Sequence, residues 1–238
     1  MPRYFCHENP ETLTVASDVI EARQGRVRLV RSPFYPGGGG QLPDRGAIRW
    51  SGGEAAVSGF DMADGHLWHL LAAPVEVSGS VEVAVDPAFR QMQRELHTAL
   101  HIINALAFQG FDGALVTGAQ MNGDGTARID LDLPGADNDK LRALEPRIND
   151  TIRQDLKVVT SYVLFEAAQE EKGLLRSRSV APPPTEDGMV RVVEIAGLDR
   201  QACGGTHLAS TGNSRPIRIL KVENKGRHNR RIRIGFGS

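Results

Sequence analysis

Four good metal donors fall into two pairs that lie far apart in this chain: His97 and His101 in His97-Thr98-Ala99-Leu100-His101, and Cys203 and His207 in Cys203-Gly204-Gly205-Thr206-His207. Each pair is spaced i, i+4, which on a helix sets both side chains on one face, one turn apart. Brought together, the pairs make a His3Cys set that suits Zn²⁺, because imidazole nitrogen and thiolate sulfur are both borderline-soft donors. This requirement constrains the fold more than any local propensity does. The Cys203 segment must return to the His97 helix across about a hundred residues, and loop-closure entropy grows slowly enough with length to permit it. A closed four-ligand shell would only hold the fold, whereas a shell that admits water would also do chemistry.

The chain has two cysteines, one of them in a ligand-like setting, so no disulfide framework is expected. No charged-then-apolar leader pattern opens it, and no apolar run approaches the ~20 residues that span a bilayer. These features predict a cytoplasmic protein without a membrane partner, in a compartment that keeps Cys203 reduced. A formal net charge of −1 says little about nucleic acid. Its distribution says more: Lys221, Lys225, Arg227, Arg230, Arg231 and Arg233 gather near the C-terminus against Glu223 alone.

The first part of the chain predicts short strands over 12–22, 26–32, 46–50, 54–60, 67–71 and 80–85, each rich in Val and Ile or alternating, and punctuated by Gly, Pro, Asp and Ser. That spacing favours a small β-barrel or sandwich. Asp86-Pro87 closes it, so residues 1–87 form an N-terminal barrel-like domain and 88–238 a second domain. Within the first, Gly37 to Gly40 is too glycine-dense for a strand interior and predicts a loop whose backbone approaches another group closely. It lacks a Gly-Lys-Ser/Thr ending, so no nucleotide cofactor is expected. His66 and His69 read as surface or half-buried strand residues, not ligands.

From Phe89 to about Phe108 the pattern is helical: Met92, Leu96, Ala99, Leu100, Ile103 and Ala107 recur at three- and four-residue steps, with His97 and His101 on a neighbouring stripe. Gly110, Gly113 and Gly118 end it. A strand follows over 126–133, then an amphipathic helix over 138–156 capped by Asp137 or Asn138, within which Pro146 must start or kink a turn. Strand 158–165, short helix 166–172 and an exposed Ala181-Pro182-Pro183-Pro184 loop come next. Strand 189–195, the Cys203 segment, and a hairpin of 216–223 with 230–236 around Lys225-Gly226 complete the chain. The fold class is therefore α+β, a small β-barrel followed by a two-layer domain with helices on a largely antiparallel sheet.

Arg94-Glu95-Leu96-His97-Thr98-Ala99-Leu100-His101 together with Cys203-Gly204-Gly205-Thr206-His207 resembles the editing domain of alanyl-tRNA synthetases and their free-standing AlaX-type relatives. Pro36-Gly37-Gly38-Gly39-Gly40-Gln41 with Asp44 and Gly46, Ala127-Arg128-Ile129-Asp130, and Lys221 to Gly226 with Arg230 to Arg233 fit the same family, so the resemblance spans nearly the whole chain. It implies a trans-editing hydrolase that cleaves mischarged tRNA(Ala), chiefly Ser-tRNA(Ala) and also Gly-tRNA(Ala), with Zn²⁺ on His97, His101, Cys203 and His207. It further implies substrate contacts from Gly38, Gly39, Gly40, Gln41, Asp44 and Thr117, the last as a reader of the serine hydroxyl. RNA contact is expected from Lys221, Lys225, Arg230, Arg231 and Arg233. Catalysis falls to a zinc-activated water with no separate catalytic side chain. Two other readings stand beside this one: threonyl-type editing of Ser-tRNA(Thr), against which the Gly37 to Gln41 loop weighs, and a non-catalytic zinc-stabilised RNA-binding module. Oligomeric state is left open.

Overall fold

A computed structural model describes residues 3–111, 113–177 and 182–237. The chain forms two compact units, one made of Arg3–Gly37 with Pro43–Gln91, the other of Gly38–Leu42 with residues 92–237.

The first unit holds α1 (Phe5–Glu8), β1 (Thr14–Arg23), β2 (Arg26–Leu29), β3 (Gly46–Trp50), β4 (Gly53–Ala63), β5 (His66–Leu71) and β6 (Ser80–Val85). The six strands close into an antiparallel barrel in the order β1-β2-β5-β4-β3-β6, as the strand spacing predicts. Strict alternation in β6 buries Val81, Val83 and Val85, and in register Val83 lies opposite both Val15 of β1 and Ile48 of β3. Each such side chain contributes about 1.5–3 kcal/mol on burial, and closure removes the free sheet edges. His69 departs from expectation. It is fully buried, with Nδ1–H donating to the Val27 carbonyl at 3.3 Å and Nε2 accepting from Ser32 Oγ at 2.7 Å, while His66 is exposed.

The long helix α2 (Pro87–Gly110) begins in the first unit and continues into the second. Pro87 suits the first helical position, and the Asp86 carboxylate accepts from the N–H groups of Ala88 (2.9 Å) and Phe89 (3.1 Å).

The second unit continues with β7 (Leu115–Met121), β8 (Thr126–Asp132), α3 (Asn138–Arg142), α4 (Glu145–Arg153), β9 (Val158–Leu164), α5 (Phe165–Glu170), β10 (Met189–Ile195), β11 (Asp199–Ala202), β12 (Ile217–Lys225) and β13 (Asn229–Phe236). Among the described residues it has two antiparallel sheets, β12-β13-β8-β7 and β11-β10-β9. Leu96, Ile103, Ile129, Leu131, Ile148 and Ile232 are among the residues of their shared core with α2. Strand β7 was hidden by Gly118 and Ala119: the β7–β8 register shifts between Val116 and Gly118, so the local pattern does not alternate. The helix expected over 138–156 is two, with Asp137 capping α3 and Pro146 in the first turn of α4, where its missing N–H costs nothing. Of the proline loop, Ala181 lies outside the described residues, Pro182 is buried and Pro183 exposed. Among the described residues, no helix is long and apolar enough to cross a membrane.

Candidate metal centre and active-site cavity

His97 and His101 project from one face of α2, one turn apart, and both are buried. Cys203 follows β11 directly, and the Cys203-to-His207 segment is an irregular loop, not the helical turn its spacing also allows. Its shape comes from a buried arginine. Arg191 of β10 donates to the carbonyls of Cys203 (2.9 Å) and Gly205 (2.8 Å), and the Arg191 carbonyl accepts from Cys203 N–H at 3.0 Å.

The loop brings the second pair onto the first. The four donor atoms of His97, His101, Cys203 and His207 all lie within 4.8 Å of one another. Cys203 Sγ is 3.4 Å from Nε2 of both His97 and His207. Donors held tetrahedrally by one zinc ion, at about 2.05 Å for nitrogen and about 2.3 Å for sulfur, stand about 3.5 Å apart. The two Cys203 contacts match that spacing, and the set as a whole could hold one metal ion.

Hydrogen bonds behind the cluster select the tautomers that fit a cation. His97 Nδ1–H donates to Gln41 Oε1 at 3.0 Å and His207 Nδ1–H donates to Thr98 Oγ1 at 3.2 Å, which leaves each Nε2 lone pair for the centre. Gln41 is held in turn, its Oε1 accepting from Thr206 N–H (2.9 Å) and its Nε2 donating to Thr206 Oγ1 (2.8 Å). Burial holds the His97 imidazole at about 3, with Arg191 adding to the effect. Burial and the neighbouring cationic groups likewise push His101 and His207 well below the usual histidine range. All three are neutral at pH 7, the form that can donate to a metal ion. Burial raises the Cys203 thiol, against the Gly205 N–H at 3.4 Å and Arg191, so its thiolate needs a cation for full stabilisation.

Beside the cluster lies a cavity of about 50 Å³, lined by His97, His101 and Cys203 together with Leu100, Asn104 and Gln201. Gly39, Val116 and Ala119 complete much of the remaining wall. Three neutral imidazoles and one thiol that a cation would ionise make a donor set that could hold a metal ion, with a small cavity beside it.

Residues 190–233, which include both Cys203 and His207, match the family model described as threonyl and alanyl tRNA synthetase second additional domain. Over 216 residues the chain is 34% identical to the alanyl-tRNA editing protein AlaX-M of Methanosarcina acetivorans, covering 87% of this chain and 86% of that protein. The AlaX-M of Saccharolobus solfataricus is 32% identical over 220 residues, 90% of both chains. The chain belongs to the AlaX-M family of alanyl-tRNA editing proteins. It is also 36% identical over 214 residues to the alanine–tRNA ligase of Methanopyrus kandleri, of which it spans 23%. A second ligase, from Korarchaeum cryptofilum, is 32% identical and is spanned to 24%.

Against this family background, the remaining sequence-predicted residues divide sharply. Gly38 to Gln41 form a tight turn in which Gly38 N–H and carbonyl bond Gln41 at 3.1 and 3.0 Å, and the Gly40 carbonyl accepts from Met121 N–H at 2.8 Å. A Cβ at Gly40 would overlap the Ala119 carbonyl, and its φ of +88° also requires glycine. Gly39 reaches the cavity wall, whereas Gln41 turns its side chain to His97 and Thr206. Asp44 belongs to the barrel unit, fully buried, accepting from Tyr35 N–H at 2.6 Å and from Arg90 Nε at 2.8 Å. Thr117 bonds Asn229 Oδ1 at 3.2 Å and is not in the cavity wall, which takes its β7 neighbours Val116 and Ala119 instead.

The basic residues are mostly committed. Arg231 pairs with Asp130 (2.7 Å), Arg233 and Lys221 with Glu223 (2.7 and 3.1 Å), and Arg230 is buried on the Ala136 carbonyl at 3.1 Å. Lys225 is exposed at the hairpin end, beside exposed Arg227. Thr98, Thr206, Arg191, Asn104 and Gln201 escaped notice in the sequence. Thr98 and Thr206 sit inside the two ligand motifs, Asn104 is one helical step beyond His101, and Gln201 is one strand period before Cys203, so proximity to the ligands was the available signal.

Proposed function

We propose that this chain is an aminoacyl-tRNA deacylase that removes wrongly attached amino acids from tRNA(Ala) in trans, chiefly serine and also glycine, at a zinc site made by His97, His101, Cys203 and His207. The observation that carries the reading is the mutual approach of four buried donors within 4.8 Å in a chain similar to AlaX-M over most of both lengths. The chemistry such an ion supplies when bound is Lewis acidity towards an ester carbonyl and towards water.

The protein's own residues do the rest. Gln41 and Thr98 keep His97 and His207 in one tautomer and orientation, so the donors need no reorganisation as charge develops. Arg191 holds the Cys203 loop by its carbonyls. Gly39 and the β7 residues Val116 and Ala119 line the cavity of about 50 Å³ beside the donors, where a small acyl group such as seryl or glycyl would sit. With no other nucleophile assigned, water attacks the ester, the acyl–oxygen bond breaks, and the 3′ ribose hydroxyl leaves with a proton. Lys225 and Arg227 at the exposed hairpin end are the proposed phosphate contacts.

Deacylation of Ser-tRNA(Ala), Gly-tRNA(Ala), Ala-tRNA(Ala) and Ser-tRNA(Thr) by wild type and Cys203→Ala, with zinc content measured in parallel, tests the reading. Loss of serine from tRNA(Ala) with alanine spared, abolished together with zinc in the variant, is expected. Release from none of the four by zinc-replete protein would leave a zinc-stabilised RNA-binding module as the better account. Preference for Ser-tRNA(Thr) would shift it to threonyl-type editing.

A further inference from the structure

Asn104 carries an anomaly in a well-satisfied site. It is 2% exposed and lines the cavity beside His101, yet among the described residues its Oδ1 has no hydrogen-bond partner, while its Nδ2 donates to Gln201 Oε1 at 2.8 Å. A buried acceptor left unpaired costs about 1–3 kcal/mol, so natural sites keep one where a ligand will meet it.

The orientation of that amide is not arbitrary. Gln201 Nε2 donates to Asp199 Oδ2 at 2.7 Å, and the other Asp199 oxygen is paired with Arg176. A carboxylate paired with arginine accepts only, so Gln201 must present its NH2 to Asp199 and its oxygen to Asn104. Asn104 must then present its NH2 to Gln201, which leaves Oδ1 for the cavity. Arg176, Asp199, Gln201 and Asn104 thus form a polarised relay ending in one acceptor.

That acceptor needs a donor from the ligand, and the surroundings select a neutral one. Among the described residues no carboxylate lines the cavity, so a cationic side chain would enter without a counter-charge; the α-amino group is common to seryl, alanyl and glycyl esters, which leaves the side-chain hydroxyl as the donor that tells them apart. We infer that Asn104 Oδ1 is the specificity determinant of this site, accepting the side-chain hydroxyl of a bound seryl ester. The inference rests on the aminoacyl ester reading above. It also accounts for the sparing of alanine: a methyl group would fill the space without supplying a donor and leave Oδ1 unpaired. A glycyl ester leaves room for one water, about 30 Å³ in the liquid, to occupy that position.

The test uses zinc-loaded protein and non-hydrolysable 3′-amino-adenosine amides of serine, 3-fluoroalanine and alanine, measured by calorimetry. Fluoroalanine matches serine in size and lacks the donor. Wild type is expected to bind the seryl amide about 10- to 100-fold more tightly than either analogue. Asn104→Leu is expected to bring the three within about 2-fold while retaining zinc. Equal affinity of wild type for the seryl and fluoroalanyl amides overturns the inference, whether or not the variant folds, as does undiminished seryl preference in Asn104→Leu. Deacylation of Ser-tRNA(Ala) is followed alongside. Seryl selectivity in binding with no turnover would count against the hydrolase reading alone, whereas turnover of serine and fluoroalanine esters at equal rates would count against the Asn104 assignment alone.

Discussion

Oε1 of Gln41, a residue of the glycine-rich turn, lies 3.0 Å from Nδ1 of His97, and the same oxygen accepts from the Thr206 amide at 2.9 Å. One side chain therefore ties a candidate metal donor on α2 to the loop that carries the other donor pair. Gln41 acts through His97, which makes it a positioning residue.

Gln41→Leu is expected to weaken zinc binding about 10- to 100-fold, the usual effect of removing a partner behind a ligating histidine. Competition against a chromogenic chelator reads this directly. Gln41→Glu keeps an acceptor at the same place and should recover most of the affinity. Equal affinity in wild type and Gln41→Leu would remove Gln41 from the metal centre.

Gly205 sits so close to His97 that a Cβ would overlap the imidazole Cε1 and Nδ1 and stand 2.8 Å from Gln41 Oε1. Both neighbours are buried and held, so neither can yield cheaply. Gly205→Ala is expected to lose most bound zinc and to destabilise the second unit by roughly 1–3 kcal/mol, as overpacking in a close-packed site does. Gly135→Ala, at a position with φ +72° and open space, is the comparison: modest strain and unchanged zinc content. Metal analysis and thermal melting of both variants decide the matter.

The buried pair of Asp44 and Arg90 makes a different prediction. Asp44 is bonded by Arg90 and Tyr35 N–H, and Arg90 also donates to the Pro33 carbonyl at 2.8 Å, so breaking the pair strands a charge in the barrel. Asp44→Asn is expected to cost about 3–5 kcal/mol in chemical denaturation, with zinc content per folded molecule unchanged. A variant of full stability that raises KM for the ester instead would return Asp44 to substrate binding.

His69 gives the barrel a pH dependence of known sign. Burial, opposed by the bond to the Val27 carbonyl, lowers its pKa from 6.5 to about 4 in the folded chain. Above pH 6.5 both folded and unfolded forms are neutral, and the full stability is present. As pH falls from 6.5 towards 4 the unfolded chain gains a proton that the folded one does not, and stability drops by about 1.4 kcal/mol per pH unit, about 3 kcal/mol in all. Below about 4 this contribution levels off. Denaturant melts of wild type and His69→Phe across this range should differ in slope by that amount, and parallel curves would show that His69 protonates without penalty.

Much of this protein is written locally. Alternating valines in β6, the Asp86-Pro87 start of α2 and the i, i+4 histidines each carry their period or cap within a few residues, so barrel strands, helix and candidate donor pairs can all be read in order along the chain. What fails locally does so for physical reasons. β7 contains a register shift at Gly118 that breaks its alternation, and β11 spans only Asp199–Ala202, too short to show a period. The roles of Gln41, Asn104 and Gln201 depend on partners 56 to 165 positions away, as in Gln41 with His97 and Thr206 and in Asn104 with Gln201. A glutamine in a glycine turn carries the same local signal whether it faces a ligand, a substrate or water. The donor atoms were determined by the sequence alone; which lone pairs converge, which amide is left unpaired beside them, and which basic side chains are already consumed by acids were decided only by the tertiary structure, because hydrogen bonding is set by distance and direction in space and not by position along the chain.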